Sequence, residues 1–178
     1  MTQREIMKSF AEIYNAALPH YHNSVRKDNG LQSTKRFKSE FYKSLKWLTK
    51  HCGTLVPPKA SKKAKELADN HHIDIFALQW KDQPAAEELI SGHRGREIFI
   101  HEHEIPVFDL FNQILKANTK KKILEILLNQ SIVWILREEE KQLHPYIRDK
   151  NSYINVNIEV LNNDYQDKWM EKPWNLNN

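Results

Sequence analysis

A break at Gly53 and Pro57-Pro58 divides the chain into two stretches whose hydrophobic patterns differ. Glycine and proline interrupt helices and strands, so this break predicts a domain boundary after residue 56. Before it, apolar residues recur every three or four positions. After it, short apolar runs alternate with helical patterns. We therefore expect a helical segment over residues 1–56 and a separate body over residues 57–178.

Two amphipathic helices are predicted before the break. Thr2 and Glu5 have the spacing of a capping box, and apolar residues follow at helical spacing: Ile6, Phe10, Ile13 and Ala17. Pro19 is expected to end this helix. The second helix should begin near Ser33 or Thr34, with Phe37, Phe41, Leu45 and Leu48 on its apolar face. The two would pair as a hairpin with a basic surface.

The body is predicted to be a small mixed structure of about three strands and several helices. Short apolar and aromatic runs at residues 73–80, 97–101 and 132–136 indicate the strands. Helical patterns occupy residues 61–70 and 85–90, begin again at Val107, and cover residues 120–129 and 137–143. The expected fold class is α+β, with a helical N-terminus.

Composition excludes several classes of protein. Of the 178 residues, 40% are hydrophobic and 28% are charged, which favours a folded domain over a disordered chain. No apolar run approaches the roughly 18 residues that a membrane span requires, so no membrane partner is expected. Cys52 is the single cysteine, which excludes an intrachain disulfide. These features predict a soluble, cytoplasmic protein.

Positive charge is concentrated in residues 26–65. This segment has 12 Lys and Arg residues against 2 acidic ones, although the net charge of the whole chain is only +4. Such asymmetry favours a segment that binds a polyanion, while a solvated helix face is the plainer explanation. The residues expected to contact nucleic acid here are Lys35, Arg36, Lys38, Lys43, Lys46, Lys62 and Lys63.

The densest cluster of chemically active side chains is His101-Glu102-His103-Glu104, which precedes Ile105-Pro106-Val107. On an extended segment, His101 and His103 project to one face and the two glutamates to the other. Imidazole accepts a proton from water near neutral pH, and a carboxylate holds a hard cation such as Mg²⁺. Hydrogen bonding at a strand end is the structural alternative for the same residues.

The segment Glu102-His103-Glu104-Ile105-Pro106-Val107 resembles the first motif of HNH (ββα-metal) nucleases, which runs acidic–His–x–aliphatic–Pro–aliphatic. The resemblance implies that Glu102 is a ligand of Mg²⁺ or another divalent ion and that His103 is the general base. His144, after the helix predicted at 137–143, is the nearest candidate for a closing ligand. The sequence departs from the family in having Glu for Asp and a long helical stretch before the next strand.

A second nuclease pattern competes for the site. Asp69 or Asp74, followed by Gln79-Trp80-Lys81, resembles the D…(E/Q)-x-K signature of PD-(D/E)XK nucleases. The ordinary alternative is a sheet strand with a surface lysine. Separately, two arginines in a glycine-containing turn, Arg94 and Arg96, precede the histidine cluster and are expected to contact a nucleic-acid backbone.

Together these patterns predict a metal-dependent nuclease, such as a small restriction or mobile-element endonuclease, that acts on DNA rather than RNA. Its catalytic residues would be His103, Glu102 and His101, and its metal ligands Glu102 and His144. The rival hypothesis is a non-catalytic nucleic-acid-binding regulator or inhibitor. A protein–protein adaptor with a basic face is a third. A homodimer would suit an enzyme that cuts both strands.

Overall fold

The computed structural model describes residues 2–26, 32–92, 98–144 and 151–163, and it is an α+β fold. The helices in these ranges are α1 (Gln3–Arg26), α2 (Gln32–Gly53), α3 (Lys62–Asn70), α4 (Ala86–Leu89), α5 (Val107–Lys116), α6 (Lys120–Leu128), α7 (Arg137–Glu140) and α8 (Ser152–Asn155). A 3-10 turn covers Trp80–Asp82. The strands are β1 (Lys59–Ser61), β2 (Phe99–His103), β3 (Ile132–Leu136) and β4 (Val160–Leu161).

These elements form two compact units. The helical unit contains residues 2–56 and 107–130, and the sheet unit contains residues 57–106 and 131–163. The chain leaves the helical unit after Val56, where the sequence predicts a boundary. It returns for α5 and α6, which the sequence places in the second stretch.

In its described residues the helical unit has four helices, of which α1 packs against α2 and α6, and α2 packs against α5. The Thr2/Glu5 capping box is confirmed, because each backbone amide donates to the other residue's side chain, at 2.6 and 3.2 Å. The buried face of α1 consists of Met7, Ala11, Tyr14 and Leu18. The stripe expected from the sequence lies beside this face, and its member Ile13 is 49% exposed.

The sequence predicted that helix α1 would end at Pro19. The helix instead continues to Arg26. Proline cannot donate to the carbonyl of Asn15, four residues earlier. Both residues are exposed, so this carbonyl lies on the solvent side of the helix. Leu18 is buried next to the proline, and its packing helps the helix continue.

The sheet unit is built on a four-stranded mixed sheet in the order β2-β3-β1-β4. Strand β2 runs antiparallel to β3, with Phe99 opposite Leu136 and His103 opposite Ile132. Strand β1 is parallel to β3 and antiparallel to β4. One face of the sheet packs on α3 through Ala60, Ala64, Ala68 and Trp134, and the other face forms a second cluster around Val133, Ile135, Leu143 and Tyr153.

The strand predicted at residues 73–80 is wrong. Asp74 turns the chain there, because its carboxylate and its carbonyl accept from the amides of Phe76 and Ala77, at 3.0 and 3.1 Å. The apolar residues of this run, including the buried Ile75, pack against the α3 face of the sheet without joining it. Strand β1, which lies between β3 and β4, was not expected from the sequence and is only three residues long.

Candidate functional site

The histidine and glutamate cluster lies on β2 and immediately after it. His101 pairs in register with Trp134 and Glu102 with Val133, residues that belong to the two opposite faces of the sheet. His101, Glu102 and His103 are all half-buried. Because neighbouring residues of a strand point to opposite faces, Glu102 and His103 do not share a face. A substrate held by both would therefore lie at the edge of the sheet, where β2 ends.

His101 is held in an aromatic stack. Its ring centroid lies 4.4 Å from that of Trp134, and Trp80 lies 6.1 Å from Trp134 with its ring nearly parallel, at 8°. Burial, together with the smaller effect of the neighbouring His103, lowers the pKa of His101 to about 4. At neutral pH this imidazole is uncharged and a weak proton acceptor. His103 is therefore the better candidate for a general base.

Glu104, the second glutamate of the cluster, forms a buried ion pair. Its Oε2 accepts from Lys59 Nζ at 3.1 Å, and the two side chains are only 7% and 15% exposed. The backbone amide of Glu104 also donates to the carbonyl of Ser131, at 2.9 Å. The ion pair between Lys59 and Glu104 joins the start of β1 to the residue after β2. Lys59 is therefore held within the sheet unit and is not available to bind a polyanion.

A second buried polar contact lies beside β1. Ser61 Oγ donates to Glu139 Oε2 at 2.6 Å and accepts from the amide of Ala64 at 3.1 Å, which caps α3. Glu139 also accepts from the amide of Leu136, at 2.9 Å. Neither Lys59 nor Ser61 was among the site residues expected from the sequence. Their partners are 45 and 78 residues away, so no local spacing could have identified these contacts.

The metal ligands expected from the sequence were Glu102 and His144. His144 is exposed and lies four residues after the end of α7. In the ranges described above, no group of three or more His, Cys, Asp and Glu side chains is placed to hold a metal ion.

The basic residues divide between the two units. Lys35, Arg36 and Lys43 are exposed on α2, and Lys46 is half-buried with its Nζ 5.4 Å from the centre of the Phe108 ring. Lys62 and Lys63 are exposed at the start of α3, in the sheet unit. The side chain of Lys38 and residues Arg94 and Arg96 lie outside the described residues. The basic residues expected to bind nucleic acid therefore lie on two surfaces, one in each unit.

Acidic partners neutralise part of this charge. Lys62 pairs with Glu159 at 3.1 Å, which raises the lysine's pKa, and Lys43 pairs with Glu40 at 2.9 Å. Among the described residues, Lys35, Arg36 and Lys50 have no ion-pair partner. Of the two basic surfaces, α2 is therefore the one with more uncompensated charge.

Comparisons with protein-family models, with curated proteins and with solved structures found no match to this chain. The described helices include none that is both long enough and apolar enough to cross a bilayer. A function for this protein is therefore inferred from its own residues and their geometry.

Proposed function

We propose that this protein binds nucleic acid through the exposed face of α2. One observation carries the proposal: Arg36, Lys43, Trp47 and Lys50 are all exposed and recur at positions i, i+7, i+11 and i+14. At 100° per residue, this spacing places them in one stripe along the helix. We call these four residues the α2 stripe. It faces away from Leu45 and Cys52, which are buried.

The charge of α2 supports a polyanionic ligand. The helix has six Lys and Arg residues and a single acidic one, Glu40. Phosphate contacts by such residues release counterions, which makes nucleic-acid binding favourable and salt-dependent. An exposed tryptophan within the basic stripe adds a surface on which a base can stack. If the basic face of α2 served only to keep the helix solvated, an exposed tryptophan within it would have no role.

The test is the salt dependence of binding to 20-nucleotide DNA and RNA probes, single-stranded and duplex. Lys43→Gln/Lys50→Gln should weaken binding and reduce the slope of log K against log salt by about 2. Lys121→Gln/Lys141→Gln is the matched control, since both of its lysines are exposed and lie outside the stripe. Equal weakening in the two double variants would contradict the proposal, because it would mean that only net charge matters.

Phosphodiester hydrolysis at the end of β2 is a second candidate function. The observation in its favour is the element order: β2 is antiparallel to β3, and α7 follows β3 directly. This is the ββα order of the HNH nucleases that the Glu102-to-Val107 segment resembles, with α5 and α6 inserted. His103 would take a proton from water. Mg²⁺ commonly binds to one or two carboxylates together with substrate phosphates, so Glu102 can contribute without a larger ligand set.

Cleavage of plasmid and RNA with Mg²⁺, Mn²⁺ or EDTA tests the second candidate. We expect metal-dependent cleavage that His103→Ala abolishes and that His71→Ala, at an exposed position outside the cluster, leaves intact. Salt-sensitive binding without cleavage would instead support a binding protein. A cytoplasmic location, a preference for DNA, and a homodimer that cuts both strands belong to the hydrolase proposal. Sedimentation of the full chain tests the homodimer.

A further inference from the structure

An uncovered apolar groove lies along the outside of α1 and α2, next to the α2 stripe. It has a volume of about 590 Å³ and is lined by Ile13, Lys43, Ser44, Leu45, Trp47 and Leu48. Trp47 is 62% exposed and Ile13 is 49% exposed. Large apolar side chains that remain exposed next to one another mark a binding surface more often than isolated ones do.

The indole of Trp47 is supported on one side. The ring of His51, one helical turn later, lies 3.9 Å from the indole by ring centroids, with an angle of 43° between the planes. A ring held by a neighbour loses less side-chain freedom when a ligand stacks on it. Trp47 is therefore a partly ordered platform at the edge of the groove.

The charges around this platform identify the kind of ligand. Arg36, Lys43 and Lys50 follow one another at intervals of one heptad, so each lies about 10.5 Å from the next along the helix axis. Lys43 also lines the groove. A ligand that satisfies both features has a flat apolar group for Trp47 and regularly spaced negative charges for the three cations. Nucleotides in a single strand have both.

We propose that the α2 stripe selects single-stranded nucleic acid by stacking an unpaired base on Trp47 in this groove. The inference rests on the proposed nucleic-acid binding and adds the class of ligand. Inside a duplex the base faces are stacked on each other, so Trp47 has no base to contact. In a single strand, a base can turn outward onto an aromatic ring while its phosphates bind the lysines. This chemistry is shared by single-stranded DNA and RNA.

The test compares the affinity of the full chain for 20-nucleotide single strands of DNA and RNA with its affinity for duplexes of the same sequence. We expect the chain to bind at least one of the two single strands more tightly than it binds the duplex of the same sequence. Trp47→Ala should weaken that binding by roughly 5- to 150-fold, the range measured for one base stacked on an aromatic ring, while duplex affinity changes little. Trp47→Phe should retain most of the affinity. Ile154→Ala, at a 69% exposed apolar position in the sheet unit, is the control.

A second variant tests the groove without removing the tryptophan. Ile13→Glu places a negative charge in the groove at an exposed site, and we expect it to weaken single-strand binding while the far-ultraviolet circular dichroism stays unchanged. A wild-type affinity in this variant and in Trp47→Ala would overturn the inference.

Two results separate this inference from the proposed function. Equal affinity for single strand and duplex, with no effect of Trp47→Ala, would overturn the inference but leave nucleic-acid binding by α2 intact. Absence of salt-sensitive binding to every probe would overturn both. Competition with a poly-glutamate peptide gives a further test, because the peptide is polyanionic but has no bases to stack. If the peptide displaces the oligonucleotide as effectively as an unlabelled strand does, the inference is overturned.

Discussion

Lys59 Nζ and Glu104 Oε2 lie 3.1 Å apart in an ion pair that joins the first residue of β1 to the residue after β2. The two side chains are 15% and 7% exposed. Removing one partner of a buried pair leaves the other charge without compensation, at a cost of about 3–5 kcal/mol. The pair therefore matters for the stability of the sheet unit.

We expect Lys59→Met to lower the free energy of unfolding by about 3 kcal/mol, because Glu104 would remain buried and charged. The double variant Lys59→Met/Glu104→Leu should recover most of this loss, since no charge is left buried. Urea denaturation measures both. Lys43→Met removes an exposed pair and should change stability by less than about 1 kcal/mol. Equal losses in the two lysine variants would contradict the structural role of the buried pair.

Stability should fall between pH 6.5 and pH 4 because of His101. Its pKa is lowered from 6.5 to about 4 by burial and by His103, so the unfolded chain binds a proton in this range before the folded chain does. Protonation therefore favours unfolding. Stability is highest above the unfolded pKa, and the total loss on acidification is about 3 kcal/mol.

Urea denaturation from pH 7 to pH 4 measures this effect. His101→Phe keeps an aromatic ring next to Trp134 and should flatten the dependence, whereas His71→Gln, at an exposed histidine, should leave it unchanged. An unaltered slope in His101→Phe would assign the acid sensitivity to other groups.

Ser61→Ala removes a single hydroxyl group, but we expect it to lower the free energy of unfolding substantially. The hydroxyl caps α3 and donates to the buried Glu139. Losing a helix cap and a hydrogen bond to a buried carboxylate should together cost about 2–4 kcal/mol. Ser44→Ala removes an exposed hydroxyl bonded to a helix carbonyl, so it is the matched control. Thermal or urea unfolding distinguishes the two, and a small effect in Ser61→Ala would show that Glu139 finds another donor.

Cys52 should be unreactive in the folded protein. The thiol is fully buried, and burial raises its pKa to about 12, which leaves very little of the reactive thiolate at pH 8. Iodoacetamide should modify the chain only after urea unfolds it, as a single mass increase, because the chain has one cysteine. Stoichiometric modification of the native protein within minutes would show that α2 opens readily.

Local signals predicted much of the fold. Thr2 and Glu5 sit three residues apart and cap α1 as expected, and the apolar runs near β2 and β3 indicated strands that the structure contains. The strand prediction for residues 73–80 was wrong because the Asp74 side chain accepts a hydrogen bond from the amide of Phe76 and stabilises a turn, which competes with strand pairing. Strand β1 could not be predicted, since Lys59, Ala60 and Ser61 have no apolar alternation and pair with β3 and β4, which lie more than 70 residues later in the chain.

The site was predicted less completely, for a physical reason. Alternation along β2 correctly separated His101 from Glu102. Alternation could not show that Trp134 stacks on His101 or that Lys59 reaches Glu104, because these contacts depend on strand order. The sequence likewise did not predict that Trp47 would be exposed. The helical unit buries Leu45 and Cys52 and leaves Trp47 outside, which depends on how the helices pack.

The packing of α1 against α6 has a consequence for synthesis of the chain. Glu12 on α1 and Lys120 on α6 form an ion pair across 108 residues of sequence. At about 5–20 residues per second, the ribosome needs roughly 5–20 s to add these residues. During that time α1 can pack against α2, to which the Tyr14 hydroxyl bonds, but α6 has not yet been made. The contact between α1 and α6 therefore cannot form until several seconds after α1 has been synthesised.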